Sequence, residues 1–114
     1  MQNVKVFLSR HFKIPRLKDR LNNYNISLYQ ETMNCDVAII LYGAYANPLA
    51  FKKRILAYWL QNDGKVYSLG FYSLYLPVLR EYYDDLIDLT KCKDFEEIGD
   101  KIAKEVKRLE NETP

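Results

Sequence analysis

Ser9, Arg10 and His11 close the first apolar run of the chain, "VKVFLSRHF", and set a hydroxyl, a guanidinium and an imidazole side by side. Two later apolar runs end in aromatic clusters, Tyr42 and Tyr45 in "YGAY" and Phe71 and Tyr72 in "FYSLY". Cations beside flat rings suit an anionic ligand that carries a ring, or a protein surface. Arg10, Lys13 and Arg16 also flank the start of a segment led by Pro15, and the free N–H groups of a helix N-terminus attract anions. Each of these residues has a plain structural reading as well. In a chain with 10 tyrosines, rings end strands and cover the core. A lone loop histidine is more often solvated than a general base, and "FKKR" at 51–54 reads as a solvated face.

The chemistry that is missing is as informative. One histidine, two well-separated cysteines (Cys35 and Cys92) and scattered acids offer no metal cluster and no disulfide framework. A phosphoacceptor site needs acids after the first strand and an Asp ending the third, where Ser9, Arg10 and Tyr42 stand instead. A phosphate cradle needs Gly, Ser and Thr packed after the first strand, and "LSRHFKIP" holds one serine. No catalytic constellation and no cofactor are therefore expected.

The elements that must position these residues follow from punctuation and periodicity. "VKVFLS" reads as a strand, and Ile14, Leu17 and Leu21 behind Pro15 read as one face of a helix. "NISLYQ" around 26–29 is a second, weaker strand, and "DVAIILYG" is a strand apolar on both faces, hence central. Asn47 as cap, Pro48 in the first turn and Gly64 as stop predict a helix over 48–62, with Phe51, Ile55, Tyr58 and Trp59 in a broad apolar surface. "KVYSLGF" reads as a fourth strand, "PVLREYYDD" as a helix and "DLIDL" as a fifth strand. Asp94 and Glu97 fit a capping box for a last helix whose Phe95, Ile98, Ile102, Val106 and Leu109 share one face.

Alternation of this kind predicts an α/β fold of three layers around a five-stranded parallel sheet in the order 2-1-3-4-5. The link from Tyr29 to Asp36 is too short for a helical crossover, but about seven steps of roughly 3.4 Å can run back down a short strand and over one neighbour. With 114 residues, 48% of them hydrophobic and 28% charged, the chain reads as a single domain over 1–110 with a frayed tail over 111–114. Its 17 basic and 15 acidic residues leave no basic excess for nucleic acid, and no apolar run approaches the ~20 residues of a membrane span. With no basic-then-apolar leader at the start, a cytoplasmic protein is expected.

The layout resembles small TIR-like domains, the compact flavodoxin-like group related to Toll/interleukin-1 receptor domains and found in archaea, bacteria and antiphage signalling systems. The resemblance rests on "VKVFLS" as opening strand, "CDVAIILYG" as central strand after a short polar turn, "GKVYSLGF", and a late "YLP" before a short strand and a capped final helix. It covers nearly the whole chain. Catalytic members of that family cleave NAD with a Glu on the helix after the third strand, in a pattern of aromatic, three spacers, Glu, aliphatic. Matching the aliphatic pair to Ile55 and Leu56 puts the Glu position at Arg54, or at Lys53 with a slip of one, and no Asp or Glu occurs between Asp36 and Asp63. Cleavage of a nicotinamide glycosidic bond develops positive charge on the ribose, which a carboxylate stabilises and an Arg opposes.

The resemblance thus implies a non-catalytic binding module in signalling or defence. Its ligand would be a nucleotide-derived anion or a partner protein, including a second copy of its kind, held on a rim of Ser9, Arg10, His11, Tyr42, Tyr45, Phe71 and Tyr72. The alternative is a divergent NAD or nucleotide glycosidase whose acid comes from elsewhere, such as Glu31. An exposed Arg54 away from any pocket favours the module, and a carboxylate on the rim favours the enzyme.

Overall fold

Short β-branched runs buried on both faces make the centre of the molecule, and two amphipathic helices close one of those faces. The computed structural model describes residues 1–10, 12–31, 33–42, 51–60, 66–67, 81 and 83–112. Strands are β1 (Val4–Leu8), β2 (Leu28–Tyr29), β3 (Cys35–Tyr42), β4 (Phe51–Leu60), β5 (Val66–Tyr67) and β6 (Asp85–Asp88); helices are α1 (Pro15–Asn22) and α2 (Phe95–Glu110). Five strands are parallel and lie side by side as β2-β1-β3-β4-β6, while β5 pairs antiparallel with the end of β4. Numbered among themselves, the parallel strands have the expected order 2-1-3-4-5. Residues 37–42 are flanked by β1 and β4, the central place their apolar run predicts.

Two of the expected elements are corrected. The helix expected over 48–62 is, across Phe51–Leu60, the strand β4, paired with β3 from Cys35↔Phe51 to Ile40↔Leu56. A helix apolar nearly all round and a strand buried on both faces have the same composition, and Ile55, Tyr58 and Trp59 are good strand formers. The segment is buried on both sides: Ile55, Ala57 and Trp59 join the core under the helices, while Leu56 faces the other core with Phe7, Ala38 and Ile40. The second correction concerns "KVYSLGF", expected as the fourth parallel strand. Its described part is the antiparallel pair Trp59↔Tyr67 and Leu60↔Val66, because five residues between two strands allow a hairpin but no crossover. The helix expected from Pro77 lies, over 77–80, outside the described residues.

The link from β2 to β3 runs without a helix among the described residues, as its length requires. Tyr29 stands level with Phe7 and Val37 with Val4, so the chain descends the height of β1 in the few residues between. Asp36 fixes the bottom of that descent. Its Oδ2 accepts from the Asn3 N–H at 2.8 Å and its Oδ1 lies 3.2 Å from Lys52 Nζ, which joins the starts of β1, β3 and β4.

On the first face, α1 buries Leu17 and Leu21 and α2 buries Ile98, Ile102, Val106 and Leu109. The α2 N-terminus is doubly held: the Glu97 N–H donates to Asp94 Oδ1 at 2.8 Å, and Glu97 Oε2 accepts from the Lys93 N–H at 2.8 Å. That is the reciprocal logic of a capping box, displaced by one residue on the return bond. The helices are laced by two forked ion pairs, Arg16 with Glu96 (2.9 and 2.6 Å) and Arg20 with Asp100 (2.7 and 3.1 Å). Tyr24 Oη donates to Asp100 Oδ1 at 2.6 Å. Gly99 makes room for this contact, since a Cβ there would stand 2.8 Å from Arg20 Cγ and 3.0 Å from Arg20 Cβ. No helix among the described residues is long and apolar enough to cross a membrane.

Candidate functional site

In an open parallel sheet, ligands collect at the carboxyl ends of the strands, where the chain leaves the sheet and helices begin. At the end of β1 the register with β3 shifts, Phe7 facing Ile40 and Leu8 facing Tyr42. Such an irregularity re-aims the chain where pairing stops. Immediately beyond it, the Phe12 N–H donates to the Ser9 carbonyl at 2.9 Å, closing a turn that carries Arg10.

Ser9 and Arg10 are therefore brought beside the end of β3 at Tyr42. His11, Tyr45, Phe71 and Tyr72 lie outside the described residues. Arg10 Nη1 is 3.4 Å from Glu31 Oε1, with the two side chains 66% and 77% exposed. A pair so open to water is worth about 0–1 kcal/mol, and an incoming anion can displace it. Arg16 is committed elsewhere, forked onto Glu96, whose hydrogen bond and charge raise the guanidinium and hold the Glu96 carboxyl below its ordinary value.

Between β2, the β1 end and α1 lies an open groove of about 1100 Å³, with Phe12, Lys13, Pro15, Lys18, Glu31 and Met33 among its walls. Lys13 and Lys18 make no ion pair among the described residues. Phe12 and Met33 leave apolar surface exposed at 38% and 44%. The groove thus offers two lysines, an aromatic edge and two carboxylates, Asp19 and Glu31.

Arg54 is far from this rim. It stands on β4 opposite Ala38, its guanidinium 5.7 Å from the Tyr83 ring centre, and its N–H donates to Asp84 Oδ2 at 2.7 Å. Because that segment is a strand, the position-by-position match to a catalytic helix that singled out Arg54 has no structural counterpart. Burial raises the Tyr83 hydroxyl to about 12 and the Cys35 thiol to about 11, so both stay protonated and inert at neutral pH. Among the described residues, no three His, Cys, Asp or Glu side chains gather to hold a metal ion.

A feature that spacing did not reveal lies on the other side of α1. Trp59 is 3% exposed, and its Nε1–H is buried with no hydrogen-bond partner among the described residues. An unmet buried donor of this kind costs about 1–3 kcal/mol. Its wall is shared by Arg16, Cys92 and the first turn of α2 around a cavity of about 250 Å³. Nothing in the local pattern of "LAYWLQ" marks this, because the core that Trp59 joins includes residues of α1 and α2 that are distant in sequence.

Fold and rim together define a small α/β protein with a helix-backed parallel sheet and a ligand-sized groove at its carboxyl edge. Comparison with family models, with curated proteins and with solved structures gives no match.

Proposed function

We propose that the chain is a non-catalytic, TIR-like binding module that holds a nucleotide-derived anionic ligand in the groove between β1, β2 and α1. The observation that carries this reading is the groove itself, where Lys13 and Lys18 stand with Asp19 and Glu31, and where Arg10, weakly paired with Glu31 at the border, adds a recruitable guanidinium that tips the balance toward an anion. The ring of such a ligand lies against Phe12 or Tyr29, and its phosphates meet the cations. The sheet order 2-1-3-4-5 supports the resemblance from which the reading starts.

Glu31 favours a second reading, a divergent NAD or nucleotide glycosidase, because it is a carboxylate on the groove. Its 77% exposure weighs against it, since a carboxylate screened by water does little to stabilise a developing cation. One variant separates the readings. In the module, Glu31→Ala removes a like charge and tightens ADP-ribose several-fold, whereas Arg10→Ala weakens it by about ten-fold. In the enzyme, nicotinamide release from NAD by the wild type disappears in Glu31→Ala. Calorimetric titration with ADP-ribose and a nicotinamide-release assay read both. Equal ADP-ribose affinity in wild type and Arg10→Ala removes the groove assignment.

A further inference from the structure

A cavity of about 590 Å³ lies at the start of β1, between the α1–β2 turn and the C-terminal half of α2. The sheet is incomplete there. The Val37 N–H donates to the Asn3 carbonyl at 3.1 Å, so Asn3 and Lys5 bond toward β3, while Val4 and Val6 turn their N–H and C=O groups the other way, toward β2. Val6 stands opposite Leu28, where β2 begins, and no strand among the described residues stands opposite Val4. The Val4 N–H and C=O therefore face the cavity with no hydrogen-bond partner among the described residues. The opposite edge of the sheet is closed by its own side chains. The Leu89 N–H reaches the Tyr58 carbonyl, which turns Leu86 and Asp88 outward; there the Leu86 N–H donates to Asp85 Oδ1 at 2.8 Å, and the Asp88 carbonyl accepts from Lys101 Nζ at 2.6 Å. Edge groups occupied in this way deter a further strand, and at Val4 they are open.

The cavity wraps around this edge. On one side Val6 and Val106 belong to the core under the helices, with Val4 and Ile26 packed against it. On the other side stand Lys5 and Tyr29, the ammonium 4.9 Å from the ring centre. An extended segment that continues the line of β2 sends alternate side chains to these two sides, one set onto apolar wall and the other toward Lys5. Lys5 and Lys107 make no ion pair among the described residues and outnumber Glu110, the one acid in the lining. The Leu109 and Glu110 carbonyls at the end of α2 already accept from Gln2, so the charge that is left to answer is positive. A donor and an acceptor side by side on one open residue match the pattern of a peptide backbone. We infer that this notch is a docking site for an extended segment of a partner protein that alternates apolar and acidic residues and pairs its backbone with Val4.

The probe is the pentapeptide acetyl-Glu-Val-Glu-Val-Glu-amide, with acetyl-Lys-Val-Lys-Val-Lys-amide as its charge-reversed control. In the free protein the Val4 amide is expected to exchange fast with deuterium and the Lys5 amide, bonded to β3, slowly. The acidic peptide is expected to bind with Kd of about 100 µM or tighter and, near saturation, to slow Val4 exchange about ten-fold. The lysine peptide is expected to bind about ten-fold more weakly. Val4→Pro removes the open donor at the first residue of a strand, where proline is tolerated, and is expected to weaken the acidic peptide about five-fold or more with far-UV dichroism unchanged. The exchange measurement needs only wild-type protein, so the test survives if the variant does not fold. A Val4 amide already slow in the free protein at every concentration overturns the proposal, because the chain then answers it internally. One that is slow only at high protein concentration puts a second copy in the notch and overturns it too, as do equal binding of the two peptides, no saturable binding, or saturable binding that leaves Val4 exchange unchanged.

Discussion

Asp100 holds the junction of the two helices, accepting from both nitrogens of Arg20 and from Tyr24. Those hydrogen bonds, Arg20 first, hold its carboxyl below the ordinary value of 3.8, and Glu96 is likewise lowered by Arg16. A carboxyl whose folded pKa is depressed adds stability that is fully present above its unfolded pKa and is lost as pH falls through the folded one. The urea midpoint is therefore expected to stay level from neutral pH to about 5 and to fall below about 4. Asp100→Asn, which cannot titrate, should lower the neutral-pH midpoint and flatten part of that fall. An unchanged acid limb in the variant would show that the cluster is too solvated to matter.

Two elements make predictions that sequence propensity alone would reverse. Gly in a helix interior ordinarily costs roughly 0.5–1 kcal/mol relative to Ala, so propensity says that Gly99→Ala stabilises. Here the new Cβ would meet Arg20 at its Cβ and Cγ, near the α1 backbone rather than at a flexible tip. The helices must separate, and a net loss of about 1–2 kcal/mol in urea unfolding is expected. For β4, neighbouring residues face opposite cores: Ile55 and Leu56 are each fully buried, one under the helices and one on the far face. Ile55→Ala and Leu56→Ala are each expected to cost about 2–5 kcal/mol. One severe and one mild loss would instead indicate the one-sided burial of an amphipathic helix.

At the scale of the whole molecule, α1, α2, β1, β3, β4 and β6 all contribute to one core cluster. A core shared by elements from both ends of the chain leaves no unit able to melt alone, so unfolding is expected to be a single transition. Trp59 sits in that core and far-UV circular dichroism follows the backbone, so their urea curves should coincide. A fluorescence change well ahead of the dichroism would mean that the β4 end and the α2 start open as a separate unit.

The sequence by itself determined the parts governed by local rules. Pro15 at the head of α1, Asp94 as the α2 cap, the i, i+3, i+4 face of α2 and the doubly apolar β3 are all legible because propensity, capping and periodicity act within a few residues. The rim residues Ser9, Arg10 and Tyr42 were equally legible as strand ends, since strand ends are where such a fold opens. Only the tertiary structure decided that 51–60 is a strand, because an apolar run carries no record of whether one neighbour or two will cover it. It alone joined Arg16 and Arg20 to acids 80 residues away, and buried Trp59 in a core shared with α1 and α2. Partners so distant in sequence are chosen by packing, which lowers the free energy of the assembled core and leaves no periodic trace in the chain.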